Sequence, residues 1–193
     1  MFKYHPHQAI VDDNYLDGCD HYGLEYDVAV KYAKFLSTHI SAVISAGIAL
    51  GLKKEQLVAH DSSKFYPVEF RGFALMNFAD DLSELDAAFH HHLWNKKLPN
   101  LHHWNCWVIP PDNTPVVMPE KFVVEMVADW HGVSYAKTGI WDISNWFSQY
   151  GIHSTILHDD SWKVLWRVME SIGYSKDDIL MKAVVSEVIN HRD

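Results

Sequence analysis

Residues 26–64 read YDVAVKYAKFLSTHISAVISAGIALGLKKEQLVAHDSSK, and their periodicity decides the fold class. Val28, Tyr32, Phe35, His39 and Val43 recur at spacings of three and four, which places them on one face of a helix. Gly51 suits a stop to that helix, and Lys53 to Lys64 reads as a second one carrying His60-Asp61. Pro67 can open a third, with Glu69 in its first turn. Leu82 to Lys96 forms another, and Pro119-Glu120 opens one through Trp130. Asn95 to Pro119 holds Pro99, Pro110, Pro111 and Pro115 and reads as a long functional loop. The C-terminal third predicts three helices: roughly Ile143 to Tyr150, one capped by Asp159-Asp160 that stops near Gly173, and one after Ser175. Asp178 follows Ser175 as a variant of the capping box. No segment shows a convincing two-residue alternation bounded by turn signals. The expectation is an all-α bundle of about seven or eight helices in a single domain. Within it, 1–25 forms an irregular arm or short helix, 26–131 the core and 132–193 the C-terminal helices.

Composition narrows the function. A chain of 193 residues with 48% apolar content is globular and long enough to bury a core. Its net charge of -9 argues against extended nucleic acid, which needs basic patches. A small phosphorylated ligand remains compatible, because a metal centre supplies positive charge locally. Cys19 and Cys106 form no Cys-x-x-Cys pair, so neither a thiolate zinc site nor a disulfide framework is indicated, and a reducing cytoplasm is expected. The N-terminus lacks the apolar region of a signal peptide. Ile40 to Leu50 falls short of the ~20 residues of a membrane span. Histidine is the unusual residue, with 14 copies and the groups His90-His91-His92 and His102-His103. Interior clusters of imidazole suggest a metal that prefers nitrogen and oxygen ligands, although any one of them fits a surface or core role better.

His60 and Asp61 offer a neutral nitrogen and an anionic oxygen, suited to Mn, Fe, Co, Ni or Zn rather than calcium. Adjacent helical residues diverge by about 100°, so the two would converge on an ion from either flank. Lys64, three residues after Asp61, shares its side and would meet a metal-bound anion. His39 lies in an apolar stripe, where a satisfied core histidine and a ligand fit equally well. Asp129 follows Phe122 and Met126 at the edge of an apolar face. An unpaired carboxylate is costly there, and a cap, a salt bridge or a metal would each resolve it.

His39, then His60-Asp61, then Asp129 on a later helix resembles the H…HD…D signature of the HD-domain superfamily of metal-dependent phosphohydrolases. His60-Asp61-Ser62-Ser63-Lys64 is similar to its H-D-I-G-K form, with Ser62-Ser63 as the departure. The resemblance covers roughly residues 26 to 131 and implies that His39, His60, Asp61 and Asp129 hold one divalent metal, with Asp61 reaching a second. Some members add two histidines for that second metal. Measured from the stripe Leu82, Leu85, Phe89 and Leu93, His92 lies about 60° off centre and His91 nearly opposite, facing solvent. His103 is slightly preferred to His102 as the other ligand. The segments around His91-His92, Asn100 to Trp104, Met118 to Glu120 and Glu125 to Trp130 also resemble a poorly characterised HD-like branch, many of its members encoded by phages and bacteria.

The resemblance implies hydrolysis of a phosphoester or phosphoanhydride bond in a small phosphorylated molecule, most of all a nucleotide, by metal-activated water. One or two ions serve, drawn from Mn, Fe, Co, Ni, Zn or Mg. Asp61 and Lys64 carry the catalytic roles. Lys64, Lys137, His91 and His102 are candidates for touching the substrate. Glu125 stands one turn before Asp129, where a partner to a ligand and a solvated glutamate are both open readings. Trp130, Tyr135, Trp141 and Trp146 fit either a nucleobase platform or core packing. The expected setting is the cytoplasm of a bacterial or phage-infected cell, with no membrane and a homo-oligomer left open. Two rival readings are an HD-fold di-iron oxygenase, which needs His92 and His103, and a catalytically silent, metal-stabilised binding module.

Overall fold

A computed structural model describes residues 21–95, 97 and 99–190. The expected arm over 1–25 lies outside them except for its last residues, which begin with a 3₁₀ turn at His21–Gly23. The chain is an all-α bundle. Its helices are α1 (Tyr26–Ala49), α2 (Lys54–Leu57), α3 (Pro67–Phe78), α4 (Leu85–Trp94), α5 (Glu120–Thr138), α6 (Ser144–Trp146), α7 (Ile152–Ser154), α8 (Asp159–Ser171) and α9 (Lys176–Asn190). A π-helical turn, Phe147–Gly151, joins α6 to α7. Among the described residues the one sheet is a two-stranded ribbon, in which Val108 opposes Pro115 and Ile109 opposes Thr114.

Local chemistry explains several boundaries. α1 stops where Gly51 takes φ +90, and α5 where Gly139 takes φ +73, both left-handed conformations that suit glycine. Pro67 occupies the first turn of α3. At α9 the Ser175 hydroxyl accepts from the Asp178 amide at 3.2 Å, the expected cap. At α8 the cap is not an aspartate. His158 takes that role, its Nδ1 accepting from the Asp160 amide at 3.1 Å, and both aspartates fall in the first turn, where they face the positive helix end.

Packing forms three apolar groups. One joins α5 to α8, α9 and the π turn through Val123, Met126, Phe147, Leu165, Met169 and Ile179. A second joins α1 to α3 and α4 through Tyr32, Leu36, Phe70, Phe73 and Ala88. The third, Val43, Ala46, Leu57 and Ala128, seats α2 where α1 meets α5. Small residues set these distances. A Cβ on Gly132 would stand 2.4 Å from Val43 Cγ2 and 3.2 Å from the His39 carbonyl, so α5 lies directly against α1. A Cβ on Gly72 would stand 2.6 Å from that of Ala88, so α3 and α4 touch nearly backbone to backbone.

Other sequence expectations change as well. Lys53 to Lys64 is not one helix: α2 ends at Leu57, Asp61 adopts φ 55, ψ 15, and Ser62–Phe65 is a 3₁₀ turn. α4 does not bury the Leu82–Leu93 stripe. Leu82 is 61% and Phe89 41% exposed, whereas Ala88 and His92 are buried. The close approach at Gly72 selects the small side chain for the inward face, and His92, one turn on, shares it.

Gly132→Ala is expected to cost about 1–3 kcal/mol by forcing α1 and α5 apart, with Val43→Ala in the same chain restoring part of the loss. Urea unfolding midpoints measure both, and an unchanged midpoint in the single variant contradicts the packing described.

Candidate metal centre

The break at Asp61 builds the site. The Ser62 amide donates to the Ala59 carbonyl at 3.2 Å and the Lys64 amide to the Asp61 carbonyl at 2.9 Å, so consecutive tight turns carry His60, Asp61 and Lys64. A left-handed residue between them turns His60 and Asp61 toward one point, which a continuous helix would not do. Asp tolerates that conformation better than most side chains, at a cost of roughly 1–2 kcal/mol. In the 3₁₀ turn, residues three apart eclipse, and Lys64 Nζ reaches Asp61 Oδ2 at 2.6 Å.

Asp61 stands between two sets of groups. Its Oδ2 is 2.9 Å from His39 Nε2 and 3.5 Å from His60 Nε2. Asp129 Oδ1 closes that side, 3.2 Å from His39 Nε2 and 3.3 Å from His60 Nε2. Asp61 Oδ1 faces the other way, 3.4 Å from His92 Nε2 and 3.6 Å from His102 Nε2. His103 Nε2 lies 2.8 Å from His92 Nε2. Four helical elements and the long loop thus deliver His39 (α1), the 60–64 turns, His92 (α4), Asp129 (α5) and His102-His103 to one place.

Carboxylates stand behind the imidazoles. Glu125 Oε1 is 3.1 Å from His60 Nδ1 and 3.6 Å from His102 Nδ1, while Gln56 Nε2 donates to its Oε2 at 2.7 Å. Glu69 Oε2 is 2.8 Å from His92 Nδ1 and accepts from the Ser63 hydroxyl at 2.9 Å, and Glu69 Oε1 bonds His91 Nδ1. Asn100 Nδ2 donates to the Ser63 hydroxyl and to the His92 carbonyl, both at 2.8 Å.

These groups satisfy what a cation requires. Among the buried polar atoms lacking a hydrogen-bond partner are His60 Nε2, Asp61 Oδ1, His102 Nε2 and Asp129 Oδ1, and all four face the cluster. Two ligands about 2.1 Å from one ion, at tetrahedral or octahedral angles, lie roughly 3.0–3.4 Å apart, close to the separations above. Charge leads the same way. Asp61, Glu69, Glu125 and Asp129 are all buried, and among the described residues Lys64 is the one ammonium that pairs with any of them. The cluster can therefore hold a metal ion.

Protonation follows the same imbalance. Burial alone would push the His60 imidazole down, but the carboxylates of Asp61, Asp129 and Glu125 outweigh it and lift it from 6.5 to about 10. Burial would raise Asp61 and Asp129. Lys64, His60 and His39 hold Asp61 well below 3.8, and His39 and His60 do the same for Asp129. Burial, and then their neighbouring histidines, hold His102 and His103 well below 6.5, so both present neutral nitrogens.

The structure brings together His39, His60, Asp61, Lys64, His92, His102, His103 and Asp129. Both histidines of the loop pair join the group with Asp61 and His92, and His102, 2% exposed, also faces Glu125. His91 does not stand free in solvent, because it bonds Glu69. Lys137 lies apart from the cluster, in a groove with Lys31 and Lys34. The tryptophans pack on other rings: Trp130 lies 5.3 Å from Trp146, and Tyr135 stacks on Trp141 at 4.5 Å. Sequence reasoning missed Glu69, Ser63 and Asn100. Glu69 has a signal in hindsight, as a carboxylate in a helix whose first turn follows the His60–Lys64 run.

An all-α bundle with a buried histidine–carboxylate cluster able to hold a metal is thus the class that fold and site define. The chain belongs to the family of unknown function DUF5662, which matches residues 29–171 and so includes every member of the cluster. No curated protein and no solved structure matches it. None of the described helices is long and apolar enough to cross a membrane.

Glu125→Gln is expected to weaken metal binding about 10–100-fold with helicity retained, measured by titration against a chelator of known affinity. Stability of the metal-free protein should depend on pH in a defined sense. The His60 contribution is complete below 6.5 and is lost as pH rises through about 10. The Asp61 and Asp129 contributions are present above 3.8 and are lost as pH falls through their lowered values. His102 and His103, held well below 6.5, act in the opposite sense: the stability of their neutral forms is lost as pH falls below 6.5. Urea midpoints without metal should therefore peak near about pH 6.5 and fall on either side, and added metal, which takes the neutral imidazole, should extend resistance upward.

Proposed function

We propose that the chain is a metal-dependent phosphohydrolase acting on a small phosphorylated molecule, a nucleotide first of all, with water as the attacking group. The observation that carries this reading is Asp61, whose two oxygens face separate sets of nitrogen and oxygen donors while Lys64 lies against it. The resemblance to the HD-domain superfamily, made by His39, His60, Asp61 and Asp129, supports the same reaction class.

Divalent ions, held by the two sets, would supply Lewis acidity toward phosphate oxygens and would lower the pKa of a water. His39, His60, Asp129 and Asp61 Oδ2 make one set; Asp61 Oδ1 with His92 and His102 or His103 makes the other. Glu125 and Glu69 fix the orientation and tautomer of the histidines they touch. Asp61 stays ionised and is the group placed to orient the water. Lys64, its side chain 17% exposed, is the cation placed to receive an incoming anion, and Asp61 keeps it protonated against the effect of burial. The oxygenase reading draws on the same six positions, since His92 and His103 both reach the cluster.

Phosphate release from a panel of nucleotides, assayed with Mn, Co or Mg, tests the proposal. Asp61→Asn should abolish turnover while preserving helicity, because Asn also accepts the left-handed backbone. Lys64→Ala should raise KM about tenfold without loss of metal. No phosphate release, with ferrous-iron-dependent oxygen uptake instead, would favour the oxygenase.

A further inference from the structure

Where α1 meets the ends of α3 and α5, the surface forms a groove of about 780 Å³, within the usual range for small-molecule sites. Lys31 and Lys34 of α1 and Lys137 of α5 line it, with Phe35 and Phe78 as apolar walls. Among the described residues no aspartate or glutamate lines it, on a chain with 25 acidic and 16 basic residues. Lys31 has Asp27 at 3.5 Å, one turn away. Among the described residues Lys34 and Lys137 make no ion pair, so two of the three cations converge here without a counter-charge of their own. The groove is distinct from the metal cluster. The Phe35 ring separates them, stacked on the His39 ring at 6.2 Å and 6°.

We infer that this groove is a second ligand site, for a small polyanion that bears an aromatic ring, of the nucleoside polyphosphate class. The phosphates lie among Lys31, Lys34 and Lys137, and the ring packs on Phe78, which is 37% exposed. Extended nucleic acid is disfavoured, since a bounded groove on a chain of net charge -9 offers no continuous basic track. The site is independent of the chemistry proposed for the metal cluster, and it gives Lys137 a role away from that cluster.

Equilibrium binding of ATP and of adenosine to the full chain, without added divalent cation, tests this. ATP is expected to bind, more weakly as salt rises, and adenosine at least about tenfold more weakly than ATP. Lys34→Glu with Lys137→Glu should weaken ATP binding by about tenfold or more, whereas Asp129→Asn should leave it unchanged. Both lysines are exposed, and Lys34→Gln with Lys137→Gln gives a milder version should charge reversal disturb folding. Three results each overturn the inference: no ATP binding by the wild-type chain, equal affinity for ATP and adenosine, or lysine variants of normal affinity. A loss that follows Asp129→Asn instead would place the nucleotide at the metal cluster and overturn it too.

Discussion

Four carboxylates buried around one ammonium are the constraint on which this structure depends. Asp61, Glu69, Glu125 and Asp129 sit in the interior, and Lys64 offsets one negative charge. Leaving the remainder uncompensated in a low-dielectric interior costs several kcal/mol per ion. Without metal the cluster can draw protons, as the elevated His60 shows. With metal, the His60 imidazole becomes a neutral donor and the cation takes over the balance. One surplus of charge thus explains the orphaned donor atoms, the lifted histidine and the capacity for metal.

The fold is arranged to deliver these groups with little freedom. α1 and α5 approach at Gly132, which sets His39 opposite Asp129. α3 and α4 approach at Gly72 and Ala88, which puts His92 inside and lets Glu69 hold it. The irregular piece between α2 and α3 supplies His60, Asp61 and Lys64 through a left-handed residue that a helix would not contain. Glu125 ties this piece to the loop by contacting both His60 and His102. Rigid helices therefore fix His39, His92 and Asp129, and a carboxylate behind the histidines restrains the parts that lie on turns.

Much of this was legible in the sequence because helical periodicity and donor chemistry are local. The spacing from Val28 to Val43 marks α1, and His39, His60, Asp61 and Asp129 stand out as donors at apolar or paired positions. The errors arise where tertiary contact overrides pattern. Leu82 and Phe89 look like a core stripe, yet α4 turns its Ala88 side inward because α3 arrives with a glycine. The residues around Asp61 look helical by composition, and only convergence on a shared centre selects the left-handed turn. Glu69 carried only a local cue, its place one turn after the His60–Lys64 run, because its partners, His91 and His92, sit on another helix.

The central claim is that Asp61 joins two donor sets that take divalent cations. Anomalous diffraction from crystals of the metal-loaded protein, recorded at the Mn edge, addresses it most directly. The account predicts density beside Asp61 Oδ2 within reach of His39, His60 and Asp129, with a second peak, where the second set is filled, beside Oδ1 near His92 and His102. Crystals grown with excess Mn that show no anomalous peak within coordination distance of Asp61 would contradict it.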